Sequence, residues 1–183
     1  MRKTFFTIGV LIPILLLCSQ ARAQALPTAT ARGSLQVGAG YTIAEPDYGQ
    51  QSIKGATIFA DYDFGTHIGI EADAHIVAFV TPLDLAENSY LIGPRFILPV
   101  KRFSIYAKGL LGYGDLVIQE QQDNIGHPGG FYFAFSVGGG VEYHATQHIT
   151  IRAIDLEYQK WPNYGNGGIT PTVYTFGAAY RFH

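Results

Sequence analysis

Two carboxylates and an imidazole occupy alternate positions in one short stretch of the sequence, at Glu71, Asp73 and His75. Residues two apart in an extended strand point to the same side, so these three side chains would converge. Carboxylates together with imidazole can bind a metal ion or carry out acid–base chemistry. An ion-pair network inside the protein is the alternative, because such networks also gather titratable groups.

Other charged residues fall on the same face of neighbouring alternating stretches, and this favours the network. A narrow interior excludes bulk water, so charges that point into it must be paired. We therefore predict an interior charge network, and we expect no metal ion and no cofactor. The predicted members are Asp61, Asp63, Glu71, Asp73, His75, Arg95, Lys108, Glu142, Arg152, Asp155, Glu157 and Arg181.

The elements that carry these residues are predicted to be strands. After residue 33 the sequence shows no long 3.6-residue periodicity, and period-two alternation recurs in eight stretches. They cover residues 34–44, 52–64, 67–79, 88–98, 103–115, 130–143, 148–160 and 171–182. Short and long connections alternate between the stretches, which indicates an up-and-down meander with both ends on the short-turn side.

Three features indicate that the apolar face of these strands contacts lipid. The stretches are about twice as long as the five or six residues typical of soluble strands. The polar face carries many glycines and few charges, as a narrow interior requires. Aromatic residues lie near both ends of the apolar face, as in the two girdles of a membrane barrel. The predicted girdle consists of Tyr41, Tyr62, Phe64, Tyr90, Phe96, Phe103, Tyr113, Phe131, Tyr143, Tyr158, Tyr180 and Phe182.

A bilayer admits only structures that satisfy every backbone polar group internally, and a closed barrel does so without an edge strand. The sequence therefore predicts an all-β fold, an eight-stranded antiparallel up-and-down transmembrane β-barrel over residues 34–183. Alternation in the seventh stretch would place Asp155 and Glu157 in lipid, so we predict a β-bulge near Ala153 and Ile154 that turns both acids inward.

The beginning of the chain predicts export. Arg2 and Lys3 precede an apolar run and the small-residue site at residues 21–23, which is typical of a secretory signal peptide over residues 1–23 that is cleaved. A short N-terminal segment, residues 24–33, follows it. The single cysteine, Cys18, lies in the signal peptide, so no disulfide is expected. A net charge of −2 without a basic cluster argues against a nucleic-acid partner.

Two further features allow alternative interpretations. The segment 161–168, WPNYGNGG, is either a ligand-contacting loop or a turn in which Trp161 anchors the girdle, and we favour the turn. An enzyme would need a nucleophile beside a base. No serine and histidine share a face near the long-loop ends, so we expect no enzymatic activity.

The signal peptide, the eight alternating stretches and the aromatic ending Tyr180-Arg181-Phe182 resemble the small bacterial outer-membrane β-barrel protein family. The chain is similar to the transmembrane domain of outer-membrane protein A and to the opacity-type surface proteins. The resemblance implies the outer membrane of Gram-negative-type bacteria as the location. It also implies outer-membrane lipids, the outer-membrane barrel insertion machinery and periplasmic chaperones as partners. Members usually end on the aromatic residue, whereas His183 follows Phe182 here.

The resemblance implies no particular activity, because barrels of this size serve as anchors, adhesins, narrow pores and enzymes. We expect a monomeric integral outer-membrane protein of the cell envelope with a structural or surface-interaction role, a polar charge-paired lumen and four external loops. The alternative is a porin-like narrow channel or small-ligand carrier, and the third candidate is a lipid-modifying enzyme.

Overall fold

The computed structural model describes residues 33–47, 51–80, 85–118, 130–164 and 167–182. Within these ranges, eight strands follow one another along the chain. They are β1 (Ser34–Glu45), β2 (Ile53–Asp63), β3 (Ile68–Val80), β4 (Leu85–Val100), β5 (Phe103–Ile118), β6 (Gly130–His144), β7 (Ile149–Lys160) and β8 (Thr172–Phe182). The expected signal peptide, residues 1–23, and the terminal His183 lie outside the described residues, as does all but Gly33 of the segment 24–33.

The strands form one closed antiparallel barrel. Each strand pairs with its sequence neighbours, and β8 returns to pair with β1 from Leu35 opposite Phe182 to Glu45 opposite Thr172. Closure leaves no edge strand among the eight strands described. The predicted fold class is therefore confirmed.

The strand bounds differ from the predicted stretches mainly in β4 and β5. Their ladder continues to the pair Leu85 and Ile118, three residues beyond the predicted start of β4 and the predicted end of β5. Backbone pairing holds this extension, and backbone hydrogen bonds do not require an alternating sequence. Alternation therefore gave no signal for the last part of this hairpin.

The bulge predicted in β7 is confirmed. The register with β8 shifts between Arg152 and Asp155, and the register with β6 shifts at the same place. Ala153 and Ile154 both face outward, so Arg152 and Asp155 both point into the barrel. One extra residue thus keeps the acids of β7 off the apolar outer face.

The two faces of the barrel have the opposite polarity to those of a soluble barrel. Large apolar side chains such as Ile58, Ile92 and Val137 are exposed on the outer face. Gln36, Glu71 and Arg95 are buried on the inner face. Among the described residues, no helix has the length and hydropathy needed to cross a membrane.

Candidate functional site

The inner face of the barrel carries ten buried charged or titratable residues that contact one another, here called the charged layer. They come from six strands, β2 to β7, at positions where the alternation turns a side chain inward. The charged layer consists of Asp61, Glu71, Asp73, His75, Arg95, Lys108, Glu142, Arg152, Asp155 and Glu157. It is the candidate functional site, because buried charges in this number need specific compensation.

Arg152 is the centre of one half of the charged layer. Its Nη2 donates to Asp61 Oδ2 and to Glu142 Oε1, each at 2.9 Å, and its Nη1 donates to Glu71 Oε1 at 2.8 Å. The guanidinium also lies 3.6 Å from the centre of the Phe59 ring. The planar fork of arginine suits such a position, since it donates in several directions while one face stacks on an aromatic ring.

Lys108 is the centre of the other half. Its Nζ lies 2.6 Å from oxygens of Asp155 and Glu157, 2.8 Å from Glu71 and 3.3 Å from Asp73. An ammonium group has three N–H donors, so the four carboxylates around Lys108 have to share three hydrogen-bond donors. This half of the layer therefore contains more negative charge than Lys108 can balance.

Arg95 and Gln36 bind the same acid of the charged layer, and Gln36 extends the hydrogen bonds to Arg181 at the short-turn end. Arg95 Nη1 lies 2.6 Å from Asp61 Oδ2, and its Nη2 donates to Glu142 Oε2 at 3.1 Å. Gln36 Nε2 donates to the same Asp61 oxygen at 2.5 Å, and Gln36 Oε1 accepts a long bond of 3.4 Å from Arg181. The hydrogen bonds thus reach from β1 across the lumen.

His75 lies between a threonine and two acids. Its Nδ1 is 2.5 Å from the hydroxyl oxygen of Thr57, and its Nε2 is 3.1 Å from Glu157 Oε1 and 3.5 Å from Asp73 Oδ1. Thr57 also bonds to Thr42, whose hydroxyl is 3.1 Å from that of Thr175. Three threonines therefore fix the side of the imidazole that faces away from the carboxylates.

The long-link end of the barrel is the end at which β1 joins β2, β3 joins β4, β5 joins β6 and β7 joins β8. Between this end and the charged layer, the lumen is filled by apolar side chains, here called the apolar layer. Its members are Ala44, Ile53, Val77, Leu91, Leu110, Leu116, Ala134, Trp161, Ile169 and Val173. Tyr132 and Tyr164 pack against it. The expectation of a polar lumen therefore applies to only part of the interior.

Trp161 is inside the barrel and is 0% exposed. Its Nε1 donates to Gln159 Oε1 at 3.1 Å, and its ring lies against Gly114, where any side chain would overlap it. The described part of the segment, residues 161–164 and 167–168, forms a turn as predicted, but Trp161 is not a girdle anchor, because its side chain lies inside the barrel. The backbone explains this, since Trp161 pairs with Ile169 and so continues the inward alternation of β7 by one residue.

The structure also brings together a serine and a histidine that the sequence did not connect. Ser104 Oγ lies 2.8 Å from His144 Nε2, and His144 Nδ1 lies 3.3 Å from the hydroxyl of Thr150. The pair is at the short-turn end, whereas an external enzyme site would lie at the opposite end of the barrel. Ser104 is only 4% exposed, so a substrate has little access to its hydroxyl.

The sequence matches the model of the outer membrane protein beta-barrel domain family over residues 10–182. The chain belongs to this family. A comparison with curated protein sequences gives no significant match.

Several solved barrels resemble the structure. OprG of Pseudomonas aeruginosa aligns with a TM-score of 0.61 at 16% identity, over 84% of this chain and 97% of that one. Neisserial surface protein A aligns with a TM-score of 0.58 at 14% identity, over 82% and 97% of the two chains. Ail, the attachment invasion locus protein of Yersinia pestis, gives 0.55 at 18% identity, over 82% and 99%. At these identities the likeness shows a shared fold.

Membership of the family places the barrel in the bacterial outer membrane. Eleven of the twelve residues predicted for the aromatic girdle have 42% to 74% of their surface exposed on the outer face. The twelfth, Tyr143, is half-buried against Phe103, with ring centres 5.0 Å apart. The belts thus lie on the surface that a bilayer would cover.

Ten of the twelve residues predicted for the interior network form the charged layer. The other two, Asp63 and Arg181, are half-buried at the short-turn end and lie outside it. The sequence analysis missed the neutral contributors Gln36, Thr57 and Phe59. Each of the three lies an even number of positions from the other inward residues of its strand. The alternation therefore predicts that they point inward.

Proposed function

We propose that this outer-membrane barrel has a structural and surface-interaction role and does not conduct ions or solutes. One observation carries the proposal, namely the filling of the lumen by two successive layers. Arg152 and Lys108 bind carboxylates from opposite walls in the charged layer, and Trp161 fills the centre of the apolar layer. A path for solutes would have to displace side chains of both the charged layer and the apolar layer.

The interaction surface in this proposal consists of the links at the long-link end. The two longest links have eleven residues each and comprise residues 119–129, between β5 and β6, and residues 161–171, between β7 and β8. At the same end, Asp47 Oδ2 accepts hydrogen bonds from the backbone N and the hydroxyl of Thr170, at 2.9 and 2.6 Å. This contact ties the first link to the last and gives the external end a fixed frame. Ail and Neisserial surface protein A have names that describe attachment and a surface location, and we assign the same class of role here.

The proposal includes the route to the membrane. Residues 1–23 act as a cleaved export signal, periplasmic chaperones hold the unfolded chain, and the barrel insertion machinery recognises the aromatic ending at Tyr180 and Phe182. The protein then acts as a monomer surrounded by outer-membrane lipids. We propose no enzymatic activity, because the buried Ser104 contacts a half-buried His144 that has a threonine in place of an orienting acid.

Single-channel recording in planar bilayers tests the non-conducting role. The protein is extracted folded from outer membranes, and its folding is checked by the change in gel mobility on heating. We expect no stepwise current above that of detergent alone, while a large porin prepared in the same way gives steps. Reproducible steps from the folded protein would overturn the proposal and favour a narrow channel.

A further inference from the structure

The charged layer contains more acids than bases. Its carboxylates are Asp61, Glu71, Asp73, Glu142, Asp155 and Glu157, and its permanent cations are Arg95, Lys108 and Arg152. A protonated His75 would add a single positive charge, and the acids would still be in excess. An uncompensated charge in a dry interior is expensive, so the layer favours the uptake of further positive charge.

Three groups in this layer have the geometry of a metal site. One ligand atom each from Asp73, His75 and Glu157 lies within 4.8 Å of the other two. His75 Nε2 is 3.1 Å from Glu157 Oε1 and 3.5 Å from Asp73 Oδ1. Tetrahedral coordination with metal–ligand bonds of 2.0 to 2.2 Å places neighbouring ligand atoms about 3.3 Å apart. The two distances from His75 are close to that value, and the two carboxylate ligand atoms lie within 4.8 Å of each other.

A second observation points to a ligand at the same place. Asp73 Oδ1 and Glu157 Oε2 are buried and accept no hydrogen bond. Buried carboxylate oxygens normally have partners, and each exception requires an explanation. Lys108 contacts the other oxygens of these residues, Asp73 Oδ2 and Glu157 Oε1. A cation beside His75 would therefore meet Asp73 Oδ1, which has no donor, and would bind the Glu157 carboxylate through its free Oε2 or share Oε1 with Lys108.

The surroundings of His75 suit a metal ligand. The Thr57 hydroxyl oxygen lies 2.5 Å from Nδ1, where it can accept a hydrogen bond from Nδ1–H. Metal-binding histidines usually donate their second ring N–H to such a partner, which fixes the tautomer and leaves the other nitrogen to coordinate. Imidazole with two carboxylates suits zinc and other first-row transition metals, whereas magnesium and calcium prefer oxygen ligands alone.

We propose that Asp73, His75 and Glu157 bind a divalent first-row transition metal such as Zn²⁺ inside the lumen. The site lies on β3 and β7, which are not neighbours in the barrel, so the ion would link opposite walls. This site is independent of the surface role proposed above.

The test uses the full barrel extracted from outer membranes, and also the same chain refolded in detergent with and without Zn²⁺. Excess metal is removed by gel filtration, and bound metal is measured by mass spectrometry. We expect one Zn²⁺ per barrel and no retained Mg²⁺. When Co²⁺ replaces zinc, we expect the intense visible spectrum that is typical of four-coordinate Co²⁺. No retained zinc in any of the three preparations would overturn the proposal.

Variants separate this site from surface binding. His75→Asn is expected to abolish retention and the Co²⁺ spectrum, whereas His148→Asn, at an exposed turn residue, leaves both unchanged. Thr57→Val keeps all three ligands and should weaken zinc binding about 10- to 100-fold through loss of the hydrogen bond to His75. Zinc retention that is lost in His148→Asn, or that is unchanged in His75→Asn, would overturn the proposal. Should His75→Asn fail to fold, X-ray absorption of the zinc-loaded wild type decides, because the site requires one imidazole and oxygen ligands.

Discussion

Arg152 on β7 stacks on Phe59 of β2, with its guanidinium carbon 3.6 Å from the ring centre. The two strands are separated by β8 and β1 in the barrel, so the contact crosses the lumen. Both side chains are 1% exposed. A desolvated cation on an aromatic face is worth about 2 kcal/mol, in addition to the hydrogen bonds at the edge of the guanidinium. The arginine therefore joins walls that no backbone ladder connects.

Removal of this arginine should strongly destabilise the barrel. Arg152→Ala leaves Asp61, Glu71 and Glu142 with less compensation in a dry interior. We expect a loss of about 3 to 5 kcal/mol in the free energy of unfolding, because breaking a buried ion pair leaves uncompensated charge. Urea unfolding in detergent micelles, followed by gel mobility, measures it.

Arg181→Ala is the matched control, because Arg181 is half-buried and makes one long hydrogen bond of 3.4 Å to Gln36. It should cost about 1 kcal/mol or less. Equal losses for the two variants would contradict the central role of Arg152.

Gly114 provides a second test, because the indole of Trp161 occupies the space where a side chain would lie. Gly114→Ala should overpack the apolar layer and cost about 1 to 3 kcal/mol. Gly109→Ala is the control on the same strand, since a Cβ there meets no atom within 4 Å. Urea unfolding measures both variants.

A double variant tests whether Trp161 is the cause. In Trp161→Ala the added methyl group of Gly114→Ala has room, so the two changes together should cost less than their sum. Additive costs would show that the effect of Gly114→Ala arises elsewhere in the strand.

The alternation of the sequence was enough to predict the strands, the bulge and the inward charges. It depends only on the two-residue period of a strand, and each residue from Gly69 to Val77 follows it. The same rule would have placed Trp161 inside, because Asp155, Glu157 and Gln159 share its parity. The error came from ending the strand at residue 160, where a bridge to Ile169 continues the pairing.

The contacts across the lumen could not be predicted from the pattern. The distance between His75 and Glu157 depends on how far the strands are staggered when the barrel closes, and alternation does not contain that stagger. For this reason the sequence grouped His75 with Glu71 and Asp73, whereas its closest acid is Glu157, 82 residues later. The inward leucines and valines of the apolar layer were missed because their strands also carry outward apolar residues.

The bulge in β7 gives a prediction about deletions. Removal of Ala153 leaves Arg152, Ile154 and Asp155 in plain alternation, with each side chain on its present face. The registers with β6 and β8 also become continuous. We expect the Ala153 deletion to assemble in the outer membrane and to show the heat-dependent gel shift.

Deletion of Leu156 is the contrasting variant. It forces an acid onto the outer face, Glu157 if the bulge is kept or Asp155 if the bulge is lost. A charge there is costly, about 2 to 4 kcal/mol for Arg or Lys at the bilayer midplane and less for an acid. We expect little folded protein from it. Similar yields of the two deletion variants would mean that the bulge does not set the faces of β7.

The end of β8 tests the proposed recognition by the insertion machinery. Phe182 and Phe176 are both exposed on the outer face of this strand, 48% and 41% respectively. Truncation of either to alanine removes a similar lipid contact, so urea unfolding of the refolded variants should give similar free energies. In cells, Phe182→Ala should lower the folded amount several-fold more than Phe176→Ala, because only Phe182 belongs to the aromatic ending. Equal folded amounts in cells would contradict recognition at this end, since lipid contact alone would then explain both residues.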